Sequence, residues 1–153
     1  IMGAMYKGLA GLVGMKVLQG LENLDSEMEA LKANYANYDF FFFHAKEADA
    51  RGEDGDFNGK VKALEKVDAY VSQVAALAPD VLVVTGDHST PALMKKHSFH
   101  PVPALLRSKY ARVDDVKKFD EKSCAQGSIG RLSTVYLMGL ALAHAERLAK
   151  YGA

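Results

Sequence analysis

Hydrophobic and polar positions along this chain follow two rhythms, one of helices and one of buried strands. Tyr6 to Met15 is apolar and small-residue-rich, which predicts a helix, with a short strand near Val17 and Leu18. A second helix is expected to open at Asp25 or Ser26. Ser26 and Glu29 have capping-box spacing, and Met28, Leu31 and Tyr35 then share one face. Phe40 to Phe43 is a continuous apolar run, the pattern of a strand buried on both faces. Gly52 to Gly59 reads as a polar, glycine-rich loop. Val61, Leu64, Val67, Val71, Val74 and Leu77 recur at helical spacing and predict a long amphipathic helix closed by Pro79 and Asp80. Val81 to Val84 predicts a second buried strand. Val102 to Leu106 predicts a third, entered through Pro101 and Pro103, which suits an edge or a strand start. A last helix is expected from a Ser133 cap to Ala149, apolar around much of its girth and therefore well buried.

Strands alternating with helices point to an α/β layer fold, in which ligands bind at the carboxyl ends of strands. Nothing resembling a linker or repeat interrupts residues 1–153, so one domain is expected. The 19 basic residues balance the 19 acidic ones, which leaves no global field to attract nucleic acid. The single cysteine, Cys124, cannot form an internal disulfide and fits a reducing cytoplasm. No apolar run approaches the roughly 20 residues of a membrane helix, and no leader pattern opens the chain. The first residue is Ile1 rather than Met, which raises the expectation that sequence precedes it.

Candidate chemistry gathers in three segments beside the predicted strands. His44 to Asp56 follows the phenylalanine run and carries Asp49 and Glu53, four residues apart across Gly52. Thr85-Gly86-Asp87-His88-Ser89-Thr90-Pro91 follows the Val81–Val84 strand. His97 to Pro101 precedes the third strand. Asp87 and His88 together offer a hard oxygen and an imidazole nitrogen, a mixture that suits manganese or zinc better than calcium. Taken alone, residues 47–56 read as a solvated surface turn more readily than as a ligand loop, and His97 alone as a surface residue. Their shared position beside strand ends is what raises the metal reading.

Read together, these segments resemble the archaeal-type branch of cofactor-independent phosphoglycerate mutase, in the alkaline phosphatase superfamily. The resemblance runs nearly end to end. It includes Met5 to Ala10 and Val13 to Met15, then Tyr38-Asp39, Lys46, Asp49 and Glu53 to Asp56. It continues through Lys60-Val61, Thr85 to Pro91, His97 and Pro101-Val102-Pro103, and ends with Cys124 and Gly127 to Arg131. The resemblance implies a three-layer α/β/α fold with a mostly parallel sheet, incomplete in this chain. It also implies two divalent metal ions, manganese first, with zinc, cobalt or magnesium as alternatives, and no need for 2,3-bisphosphoglycerate. By position, Asp49, Glu53 and His97 would hold one metal, and Asp87 and His88 the second. Better-known members carry histidine where this chain has Glu53. Lys7 would stand near the phosphoryl group, or else be a helix-surface lysine. The nucleophilic serine, a further aspartate ligand and the inserted cap domain would lie outside this chain, in a protein more than twice its length.

The activity so implied is interconversion of 3-phosphoglycerate and 2-phosphoglycerate through a phosphoserine, a cytoplasmic glycolytic isomerisation, with this polypeptide alone inactive. Two alternatives stand beside it. One is another phosphohydrolase of the same superfamily. The other is a non-catalytic metal-binding or structural piece, prone to self-association through apolar surface. The expected partner is a small phosphorylated substrate, with no nucleic acid and no membrane.

Overall fold

The computed structural model describes residues 4–149, which divide into two compact units. The first comprises residues up to Leu77 together with Thr90–Lys96; the second comprises Ala78–Ser89 and the chain from His97 onward.

The first unit is helical. It contains α1 (Ala4–Leu12), α2 (Leu24–Asn34) with a following 3-10 turn (Tyr35–Asn37), α3 (Glu47–Asp54) and α4 (Phe57–Ala76). α2 starts one to two residues earlier than the sequence suggests, because its cap is Asn23. The Ser26 backbone N–H donates to Asn23 Oδ1 at 2.9 Å, and the Asn23 N–H donates to Ser26 Oγ at 3.1 Å. Ser26 therefore closes a capping box from its third position rather than opening one.

The core of this unit is built by Leu24, Met28 and Leu31 of α2 against Tyr70 of α4, with Phe41, Phe43, Val67, Val74 and Leu77 packed around them. Met28, 2% exposed, is its most enclosed large side chain. α4 is amphipathic as expected, but its buried stripe is rotated. Ala63 and Tyr70 are buried and Val67, Val74 and Leu77 pack against the core, whereas Val61 and Leu64 face outward. Spacings of four, three, four and three keep the observed stripe on one face. The Tyr70 hydroxyl donates to Asp25 Oδ1, tying α4 to the first turn of α2. That bond is the main cause holding the phenol's pKa above its usual value.

The phenylalanine run is a correction. Residues 40–46 carry no helix and no strand pairing among the described residues, and neither do Val17 and Leu18. The run still alternates as an extended segment does. Phe41 and Phe43 enter the core, while Phe40 and Phe42 are each 47% exposed. Residues 52–59 are a second correction. They form the end of α3, a turn at Gly55 and the start of α4, not an open loop. Gly55 has φ of 75°, the left-handed conformation that ends a helix with least strain in glycine. Asp56 then caps α4 by accepting the Gly59 N–H at 2.8 Å.

The second unit carries β1 (Val81–Thr85) and β2 (Ala104–Ser108), paired antiparallel with Val83 opposite Leu106. The α/β class stands, but the only sheet among the described residues is this antiparallel pair; the parallel layer is not among them. β2 begins two residues later than predicted because Pro101 and Pro103 cannot donate to a ladder. α5 (Glu121–Cys124) is capped by Asp120, and a 3-10 turn (Thr134–Tyr136) leads into α6 (Leu137–His144). α6 packs on β1, and Ser108 Oγ meets His144 Nδ1 at 2.7 Å. The last helix thus ends five residues short of Ala149. It is also less covered than its apolar girth suggests: Met138 is 46% and Leu142 37% exposed. Asp114 braces the loop between β2 and α6. It accepts the Ser128 N–H at 2.8 Å and the Val116 N–H at 3.1 Å. These bonds, the Ser128 one first, hold its carboxyl below the usual carboxylate range.

Candidate functional site

The residues with metal-type chemistry fall in both units, and each unit prepares its own set. In the first, Asp49 sits in the first turn of α3, with its side chain 16% exposed. Its Oδ2 lies 2.6 Å from Lys46 Nζ, and its Oδ1 accepts the Thr90 hydroxyl. Thr90 is itself 3% exposed, and its carbonyl accepts from Lys60 Nζ of α4. Gly52 lets α3 come this close. A Cβ there would lie 2.3 Å from the Thr90 carbonyl oxygen. Glu53 lies one helical turn after Asp49, so the two share a helix rather than a loop; Glu53 is the more exposed of the pair. Lys7 lies on α1 and lines a cavity of about 300 Å³ with Met15, Lys16, Phe42 and His44, a lining that does not include Asp49.

In the second unit the chain leaves β1 through Gly86. Asp87 Oδ1 accepts the His88 backbone N–H at 3.0 Å, and its Oδ2 stands 3.5 Å from His88 Nε2. An isolated antiparallel bridge joins Ser89 to Ser98, with the Ser98 N–H donating to the Ser89 carbonyl at 2.8 Å. This bridge sets the outgoing and returning stretches side by side. Its consequence is that the His88 and His97 rings meet, with centroids 3.8 Å apart and planes inclined by 32°. Asp87 is the more open, its side chain 47% exposed against 27% for His88.

Two residues of this arrangement were named in the sequence only as parts of longer motifs, Thr90 and Lys60. The signal was present for Thr90, which lies in the same seven-residue segment as Asp87 and His88. Lys60 carried none of its own, since a lysine in the first turn of an amphipathic helix reads as solvent-facing.

In each unit the donors are of kinds that a divalent transition metal accepts. The first offers carboxylate oxygens, the second a carboxylate with two imidazoles, and no thiolate is among them. Two imidazoles brought ring to ring by a backbone bridge, and a carboxylate fastened at both oxygens by its neighbours, are the supports that oriented metal ligands need.

Comparison with known proteins agrees with that chemistry. Residues 6–144 match the family model described as the metalloenzyme superfamily. Over 115 residues, 75% of this chain, the sequence is 56% identical to a probable 2,3-bisphosphoglycerate-independent phosphoglycerate mutase of Thermus thermophilus and 53% identical to the protein of the same name from Thermosipho melanesiensis. These matches cover 28% and 29% of the relatives' lengths, so the chain spans little more than a quarter of them. The solved structure of the PH0037 protein from Pyrococcus horikoshii superposes with a TM-score of 0.91 at 31% identity, over 98% of this chain and 48% of that one. The family match extends across far more than half of the sequence: the chain belongs to the metalloenzyme superfamily.

Proposed function

We propose that this chain supplies metal-holding residues of a phosphoglycerate mutase that works without 2,3-bisphosphoglycerate. The candidate ligands of its two divalent cations are Asp49 and Glu53 in the first unit and Asp87, His88 and His97 in the second. The observation that carries the reading is the pairing of His88 with His97 across the Ser89–Ser98 bridge, in a sequence 56% identical to relatives named for that activity. Manganese is the metal the mixed oxygen and nitrogen set favours, with zinc, cobalt or magnesium as alternatives.

When bound, such cations neutralise charge on a transferring phosphoryl group and lower the pKa of an attacking hydroxyl. The chain's own residues have narrower tasks. His88 and His97 present nitrogen donors from two strand-end segments. Asp87 accepts the His88 backbone N–H and so fixes the turn that aims the ring. Asp49 offers a carboxylate whose orientation is set by Thr90 and Lys46. Lys7 is the candidate for a point charge toward the phosphate, from its place on the wall of the α1 cavity. On this reading the nucleophile and the substrate-gripping part are not supplied by residues of this chain. The substrate on the same reading is 3-phosphoglycerate, the product 2-phosphoglycerate, and the setting the cytoplasm.

The test is product analysis with the full-length protein that carries this chain. Conversion of 3-phosphoglycerate to 2-phosphoglycerate, dependent on added divalent metal, supports the reading. Release of inorganic phosphate from 3-phosphoglycerate and from simple phosphate esters alike would replace the mutase with a phosphohydrolase.

A further inference from the structure

A buried threonine hydroxyl and a part-buried lysine ammonium meet in the first unit, and metal binding by itself gives neither a role. Thr90 is buried to 3% and stands out among the described residues as a polar side chain inside an otherwise apolar set. Its hydroxyl donates to Asp49 Oδ1, and its own backbone carbonyl accepts from Lys60 Nζ. Gly52, one helical turn's reach from Asp49 on α3, packs directly against the same carbonyl, leaving no room for a methyl group. Thr90 is thus gripped from α4 by a charge-assisted hydrogen bond and from α3 by close packing, and it passes that fixed position to one oxygen of Asp49.

From this we infer that Thr90, held by Lys60, is a positioning residue for Asp49 and sets the affinity of the proposed metal site; the inference rests on Asp49 being a ligand. A carboxylate on a helix can turn about two side-chain torsions. A hydrogen bond to one oxygen and an ion pair to the other remove that freedom and fix where the carboxylate points. Lys46 cannot do the whole task, since its ammonium ends a flexible chain that is 43% exposed. Thr90 can, because its one-torsion side chain is buried and its backbone is anchored. Neighbours of this kind that orient a ligand raise metal affinity by about 10- to 100-fold.

The experiment is calorimetric titration of the purified chain with manganese alone, with cobalt as a second probe whose visible absorption reports ligand geometry. Five proteins are compared: wild type, Thr90→Val, Thr90→Ser, Lys60→Met and Asp49→Ala. Circular dichroism establishes that each is folded. Thr90→Val keeps the shape and removes the donor, and binding should weaken by about 10- to 100-fold with an altered cobalt spectrum. Thr90→Ser restores the hydroxyl and should restore most of the affinity. Lys60→Met should weaken binding without touching Asp49 directly. Wild-type affinity in Thr90→Val, or equal loss in Thr90→Val and Thr90→Ser, overturns the inference while the metal site stands. If Thr90→Val does not fold, unchanged affinity in Lys60→Met overturns it instead. Indistinguishable titrations of wild type and Asp49→Ala would instead remove the metal site itself, and the inference with it.

Discussion

Replacing Gly52 with alanine isolates a single close contact that the first unit depends on. An alanine in a helix interior is ordinarily favoured over glycine by about 1 kcal/mol. Gly8, on α1, has nothing within 4 Å of where a Cβ would stand, so Gly8→Ala should gain that amount. At Gly52 the new methyl would lie 2.3 Å from the Thr90 carbonyl oxygen, 3.0 Å from Thr90 Cγ2 and 3.2 Å from Lys60 Nζ. The lysine end can swing away, but the carbonyl is backbone and is fastened by Lys60. Overpacking of this sort costs about 1–3 kcal/mol, and a backbone atom that cannot swing away places this contact in the upper part of that range, about 2–3 kcal/mol, which exceeds the helix gain. The two alanine variants should therefore differ by about 2–3 kcal/mol, in opposite directions from wild type. Urea unfolding followed by circular dichroism reads this as midpoints separated by about 1 M or more, since slopes are about 1–3 kcal/mol per molar. Gly52→Ala matching or exceeding wild type while Gly8→Ala gains stability would refute the claim that α3 is seated against a fixed Thr90 backbone.

The remaining predictions concern acid sensitivity and turnover. Asp114 has a depressed folded-state pKa, so the stability it contributes is present above the ordinary carboxylate range and lost as pH falls through its lower folded value. Asp114→Asn should remove that acid-side dependence, measured as the slope of unfolding midpoint against pH below about 4. In the full-length protein, Asp87→Ala and His88→Ala should each reduce 3-phosphoglycerate turnover by about 100-fold or more while circular dichroism is unchanged, because each removes a proposed ligand.

How much of this was legible in the sequence differs by element, and the differences have physical causes. Helices were legible because their buried faces repeat: Met28 and Leu31 on α2 were read correctly. On α4, Val67, Val74 and Leu77 were read correctly, whereas Val61 and Leu64 face outward and the buried positions belong to Ala63 and Tyr70, weaker hydrophobic signals than valine or leucine. The capping box was seen at the right serine but in the wrong role, since Asn23 competes successfully for the cap. Phe40 to Phe43 read as a doubly buried strand, but pairing depends on neighbours that composition cannot supply; among the described residues only one face is covered. Of the candidate ligands, Asp49, Glu53, Asp87, His88 and His97 were nameable from residue type and segment. That His88 meets His97 was not, because it depends on one bridge between two serines with no distinctive pattern. Thr90 and Lys60 were invisible as a pair for the same reason. Their link crosses 30 positions and joins a side chain to a backbone carbonyl.

The most direct measurement is manganese binding to this chain, before and after His88 is changed to alanine. Saturable binding that weakens by about 100-fold or more in His88→Ala, with the fold retained, is the result expected from loss of an imidazole ligand. Manganese bound equally well by both proteins, or by neither, would contradict the metal centre on which the functional reading stands.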